Sequence, residues 1–365
     1  MYRAVMNMNL SDLILAGDRL PTINIANINL GIVGEDSEEG IIGMPGLIAL
    51  YEGKGLTNES MSSNPVWKDL SGNGYDLEMR NFAWKLDSGC GKYEHDFSTW
   101  TYSDTATVIK KSPNHVIYQG NTDCYMFSLD LKAINNFKIK INDITKGVAL
   151  NVAYFDISMW RIAQTFEGVG IHEIDSSLFP ETASKVKFSL SKDGQVDLEQ
   201  IPDYAGAIVF DGVNDFGVCK NTPLLTPDKG YTVMALRYIL KISSNSALCG
   251  KCDTNDGAFI FEHYGLSGFT AFSFFGTTGN LKKNDPITYQ TSNEYNGQSI
   301  KVGPRPDVNV LVVGCSSFYQ DGPYNPGCSA IYSLVIFDHD TTEEERQRVI
   351  NYWKREYPEL FLDKA

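Results

Sequence analysis

No stretch of this chain approaches the ~20 consecutive apolar residues that a membrane helix needs, so membrane insertion is not expected. Basic runs are equally scarce. Lys110-Lys111, Lys282-Lys283 and Lys354-Arg355 are each only two residues long, and the formal charge is −14. Without a cationic stripe to displace counterions from phosphate, nucleic acid is not an expected partner. Anionic membrane surfaces are disfavoured on the same ground. The opening MYRAVMNMNLSDLILAGDRL has one early Arg but no continuous apolar run before Ser11 and Asp12, so a Sec signal peptide is not expected. Cysteine has no framework spacing: Cys90, Cys124, Cys219, Cys249, Cys252, Cys315 and Cys328 are odd in number and scattered. They suit reduced thiols packed as small hydrophobes in a cytoplasm. Also missing are a G-x-S-x-G elbow, a Walker loop, a dinucleotide fingerprint and any H-E-x-x-H pair. Neither an enzymatic activity nor a cofactor is expected.

What is present points to β-structure. At 365 residues the chain is long enough for two or three domains, and 42% apolar residues supply real cores. Thirty-two Gly, nineteen Tyr and nineteen Phe, with few helical patterns, favour an all-β chain rich in turns. Residues 1–45 stand apart. Thr22-Ile23-Asn24-Ile25 and Asn27-Ile28-Asn29-Leu30 alternate polar with apolar, and the acidic GEDSEEG (34–40) follows. Such an arm is too poor in large apolar residues to fold alone and is expected to dock on a partner or on the main body.

From Gly46 the pattern is orderly. Leu47 to Tyr51 reads as a buried strand, and PVWKDLSGNGYDLEMRNFAW (65–84) as strand, glycine turn, strand. Its continuation, AGAIVFDGVNDFGVC, comes only at 205–219, so 88–203 is expected to be an inserted β-sandwich between 46–87 and 204–365. Within the insert, Phe137 to Ile141 alternates as a sheet with one solvated face should. Val308 to Gly314 and Ala330 to Phe337 are near-continuous apolar runs, expected in central strands. One helix is predicted after Asp340 or Thr341 as N-cap, with Val349, Tyr352 and Trp353 on one stripe and Pro358 ending it.

Several constellations invite chemistry. In DLSGNGYDL (69–77), Asp69, Asn73 and Asp76 offer oxygens for Ca2+, although a tight hairpin accounts for the glycines without metal. FDGVNDFG (210–217) adds Asp211 and Asp215, and the two loops are expected to meet at one sheet edge. Glu173-Ile174-Asp175-Ser176-Ser177-Leu178 approximates the E-x-D-x-x-E of retaining glycosidases, but Leu178 replaces the third carboxylate. Cys249-Gly250-Lys251-Cys252 has no second pair at zinc spacing. Asp338-His339-Asp340 precedes the helix cap, which gives its carboxylates a structural role. Sugar recognition needs exposed aromatic faces beside polar groups. Tyr264, Phe318, Tyr319 and Tyr324 are the candidate carbohydrate-binding residues on that basis.

WKDLSGNGYDL and IVFDGVNDFGVC resemble the paired signatures of laminin-G-like, concanavalin A-like jelly rolls, and IYSLVIFDHDTTEEERQRVINYWKREYPEL resembles their closing strand and helix. The resemblance covers about 46–84 and 205–362. It is nearest to versions from phages and bacteria of the gut Bacteroidetes, crAss-like phages among them. It implies a virion-associated head or tail fibre or capsid decoration, assembled in the host cytoplasm. The arm would be anchored on a capsid or other virion protein, the chain would form a homotrimer, and a glycan would be the ligand. A bacterial cell-surface lectin is the alternative, with a glycoside hydrolase behind it. This fold serves all three, so the site must decide.

Overall fold

A computed structural model of the chain describes residues 40–362, except 104–105, 124, 128–134, 226–228, 242–245, 253–256, 266–267, 274–275, 281–285, 300–306 and 320–321. The expected strand-like part of the arm at 22–30 lies outside the described residues. The fold is all-β: one sandwich interrupted by a second, with a C-terminal helix against the first.

The interruption is visible in strand pairing. Cys328–Phe337, buried along nearly its whole length, is the spine of an eight-stranded antiparallel sheet. Thr232–Lys241 pairs along one side of it. On the other side, Leu47–Glu52 pairs with Ser333 to Phe337 and Ile208–Asp211 with Cys328 to Ile331. Strands from before and after the second sandwich therefore share one edge of one strand. The facing sheet repeats the device, because Leu77–Arg80 pairs with Phe216–Cys219. Leu311–Val313 and Ser246–Cys252 extend that sheet further. Between the sheets Ile48, Tyr51, Phe210, Val233 and Leu334 meet Trp67, Leu77, Leu248, Phe259 and Val313 in one core. The apolar run predicted over Val308 to Gly314 is central as expected, but its strand is only Leu311–Val313.

The second sandwich has two five-stranded sheets built from residues 101–201. One runs Met159–Glu167, Ala149–Asp156, Ala183–Leu190, Tyr125–Phe127, Thr101–Tyr102; the other Gly170–Ile174, Phe137–Ile144, Gly194–Ile201, His115–Gly120, Thr107–Lys111. Phe137, Ile139 and Ile141 point inward as the alternation required, joining Val116, Tyr118, Val152, Phe188, Val196 and Leu198. The two crossings between the sandwiches lie side by side. Gly91 N–H donates to Ala207 O at 2.8 Å and Asp203 N–H to Lys92 O at 2.8 Å. Gln200 bridges both ways to the His95 backbone. Gly91 adopts φ +74, and a Cβ there would meet Pro202 at 2.5 Å, so this crossing requires glycine.

The helix is Glu343–Glu356. Its cap is Thr342, two residues beyond Asp340 and one beyond Thr341. Thr342 and Glu345 form a reciprocal capping box, while the Asp340 carboxylate instead accepts from Ser292 N–H and Oγ. The helix lays Val349 and Trp353 on the outer face of the spine sheet, over Leu50, Met234, Tyr332 and Val335. Residues 40–44 complete this cover, with Ile41 and Met44 in the same cluster and Arg348 donating to Gly40 O.

Candidate functional site

The sequence-selected aromatics gather near one end of the first sandwich. Tyr264 lies in Gly257–Gly265, opposite Ser246. Phe318 and Tyr319 lie in a two-stranded ribbon, Ser317–Tyr319 against Gly322–Tyr324. The next residue, Asn325, accepts from Ala247 N–H, so the ribbon abuts the strand that pairs with Tyr264. The Tyr324 side chain is 60% exposed. The side chains of Tyr264, Phe318 and Tyr319 lie outside the described residues.

The loop of Asp69, Asn73 and Asp76 is a protein-satisfied turn. Asp69 Oδ1 accepts from Leu50 N–H at 3.1 Å and Ser71 N–H at 2.9 Å, and its Oδ2 from Ser71 Oγ at 2.8 Å and Tyr75 N–H at 3.0 Å. Asp76 accepts from Asp69 N–H and the Lys68 ammonium. Asn73 turns its amide nitrogen, not its oxygen, toward Leu47 O and Ile48 O. A cation here would have to displace these donors. The expected meeting with the 210–217 loop does not occur. Asp76 precedes Leu77 and Asp215 precedes Phe216, and Phe216 pairs with Arg80, so antiparallel register holds the loops at opposite ends of their strands. Among the described residues no group of three His, Cys, Asp or Glu is placed to hold a metal.

The remaining polar motifs are structural in their surroundings. Cys249 is fully buried, and Lys251 beside it is buried against Asp307 at 2.6 Å. His339 sits 3.3 Å from both Asp338 and Glu345 at the helix start. Glu173 is exposed, whereas Asp175 caps a short 3-10 turn. Glu173, Lys138 and Asp203 share a shallow concavity of about 260 Å3 with Asn136, Phe137, Ile201 and Pro202, beside the crossings. That volume is below the ~300 Å3 at which small-molecule sites usually begin.

A different group was not selected from sequence: the outward face of the second sandwich's first sheet. Strand register places Trp160 opposite Phe155 and Phe155 opposite Lys185, with Lys187 next along. Inward positions of the same strands carry Val152, Val186 and Phe188, so the alternation sends these rings and lysines outward. Trp160 lies edge-on to Phe155 with centroids 5.4 Å apart, and 6.0 Å from Tyr125. The Lys187 ammonium sits 4.4 Å from the Tyr125 centroid and 4.9 Å from that of Trp160, and Lys185 lies 6.0 Å from Phe155. Partial burial holds the Lys187 pKa below the ordinary lysine value, against the opposing charge of Asp123. Ile162, opposite Ala153, is 62% exposed at the margin. Asn151 and Thr165 bond to each other at 2.9 Å on the same face. The arrangement offers apolar ring surface and a positive donor, with the exposed Thr165 hydroxyl on the same sheet.

Phe155 and Trp160 flank a turn through Ile157, which takes φ +50 without a glycine or an Asn-Gly signal. The hairpin was therefore not legible. Two rings five positions apart, around Asp156-Ile157-Ser158, were the available clue. The margin strand is also blunted: its register slips at Ala163, between Val152 and Ala153 of its neighbour, a bulge of the kind that discourages edge-to-edge pairing.

No family model and no curated protein matches the chain. Among solved structures it is similar to the Trypanosoma rangeli sialidase in complex with the inhibitor DANA, at 10% identity and TM-score 0.28, over 78% of this chain and 67% of that one. A Parabacteroides distasonis protein described as secreted gives 7% identity and TM-score 0.20, over 69% of this chain and 97% of that one. Likenesses this distant carry no argument about function.

Proposed function

We propose that this chain is a non-catalytic display protein whose second sandwich presents a glycan-binding sheet face. The carrying observation is the cluster of Tyr125, Phe155 and Trp160 around Lys185 and Lys187. Pyranose rings stack their C–H faces on such side chains while hydroxyls take hydrogen bonds from neighbouring polar groups. A flat sheet suits an extended polymer better than an enclosed small molecule. Its strands hold the rings without a loop to order, which lowers the cost of binding.

The setting in which this face is displayed follows from the resemblance of 65–84, 205–219 and the C-terminal segment to phage jelly rolls. We assign the chain to a virion, as a head or tail fibre or capsid decoration, with residues 1–45 docking on a capsid or other virion protein. As a homotrimer it would multiply weak single-face affinities through avidity. A glycan array probed with the full chain is expected to retain specific sugars, and light scattering to return three times the 40.6-kDa chain mass. A blank array removes the binding reading, and a monomer at micromolar concentration removes the trimer.

A further inference from the structure

The geometry points to an anionic glycan, one bearing carboxylate or sulfate groups, as the ligand of the Tyr125–Lys187–Trp160 cluster. This rests on the glycan-binding reading and narrows it.

Lys187 is the deciding residue. It projects from the middle strand of its five-stranded sheet, one residue from Val186 and one from Phe188, both fully buried in the core. Two inward neighbours fix its outward course. Its ammonium then lies against both Tyr125 and Trp160, each within the ~6 Å reach of a cation–π contact. An ammonium held this way has exchanged part of its water for ring faces. The rings stabilise the charge but offer no hydrogen-bond acceptor, so the three N–H donors favour an anion arriving from solvent.

A neutral sugar fits less well. Its stacking partner would be the ring surface beside the ammonium, and its hydroxyls are weaker acceptors than an oxyanion. Lys185 over Phe155 adds positive charge to the same face, whereas Arg161, opposite Tyr154 in register, belongs to the other face of the sheet. Arg161 also pairs with Asp156 at 3.4 Å, and Asp123 lies near Lys187. The local charge is thus mixed, but its most constrained member is the cation. The chain as a whole carries a net charge of −14. General attraction would not draw an acidic polymer to this protein; a specific cationic site would.

The test uses matched polymers that differ only in the anion: oligogalacturonate against its methyl ester, and dextran sulfate against dextran. Titration calorimetry with the full-length chain is expected to give at least tenfold tighter binding for the acidic member of one pair. The charged member of the other pair identifies whether carboxylate or sulfate is preferred. Lys187→Met keeps the aliphatic packing on the rings, and its unfolding midpoint is checked first. It should reduce the acidic polymer to the affinity of its neutral counterpart, whereas Trp160→Ala should weaken both. Equal binding of the charged and neutral members to the parent protein, unchanged in Lys187→Met, overturns the anionic assignment and leaves the glycan face standing. No binding to any of the four polymers overturns both.

Discussion

The two sandwiches finish their outer faces in opposite ways. In the first, Ile41, Met44, Val349, Trp353 and Tyr357 close over the spine sheet, and a buried polar network lies beneath them. Glu52 accepts from Ser333 Oγ at 2.6 Å, Ser333 accepts from Trp353 Nε1 at 2.8 Å, and Tyr357 Oη contacts both Glu52 and Tyr332 O. Tyr357 has one phenolic proton for those two oxygens. A protonated Glu52 resolves the count by donating to Tyr357, which then donates to Tyr332 O. Burial supports this by raising the Glu52 pKa to about 7. In the second sandwich the outward rings are only half-buried, and no helix among the described residues packs over them. A covered face serves stability. In the reading proposed above, a face with half-buried rings and lysines serves binding.

Damage to the cover should be the largest effect. Trp353→Ala removes a fully buried indole and its bond to Ser333, and is expected to cost ~3–5 kcal/mol in denaturant unfolding. Glycan binding measured below the unfolding transition should persist, which separates the two faces. Glu52→Gln sharpens the same contrast through pH. The folded-state pKa lies above the unfolded one, so the parent binds the extra proton when folded. It loses stability as pH rises from about 4.5 through about 7. The variant should therefore be more stable by up to ~3 kcal/mol at pH 8 and little changed at pH 4. A difference that does not vary with pH would contradict the protonated network.

His95, in the crossing to the second sandwich, has the opposite sign. Its ring packs edge-on to Trp100 and Phe137, and burial lowers its pKa to about 4, so it is neutral when folded. Stability from this site is present above the unfolded histidine pKa of 6.5 and is lost as pH falls toward 4. His95→Phe keeps the ring contact and the backbone bonds to Gln200. It should gain ~2 kcal/mol at pH 5 relative to its effect at pH 8, read by thermal unfolding. The smallest effect on folding belongs to the binding face. Trp160→Ala loses its contacts with Phe155 and Tyr125 and should cost ~1 kcal/mol in unfolding, well below Trp353→Ala, while weakening glycan binding about tenfold.

The sequence showed most of the skeleton and little of this face. Alternation at Phe137 to Ile141 and the apolar run ending at Phe337 are local signals that strand burial obeys, and both strands formed where expected. The helix was visible, but its cap moved to Thr342 because Asp340 is occupied by Ser292, a contact 48 residues away in sequence. The proposed binding cluster joins Tyr125, Phe155, Trp160 and Lys187 from four strands. Only pairing register brings them together, and spacing along one strand carries no trace of that register. The loops of Asp69 and Asp215 failed for the same reason: each looked like a liganding turn, and register set them apart.

The central claim is that glycans bind the second sandwich, not the first. A structure of the chain with its best glycan from the array tests this directly. The account predicts sugar density across Trp160 and Phe155, with an oxygen of the ligand in hydrogen-bond contact with the Lys187 ammonium. Density instead at the Tyr264 and Tyr324 end of the first sandwich, or in the concavity of Glu173 and Asp203, would contradict it.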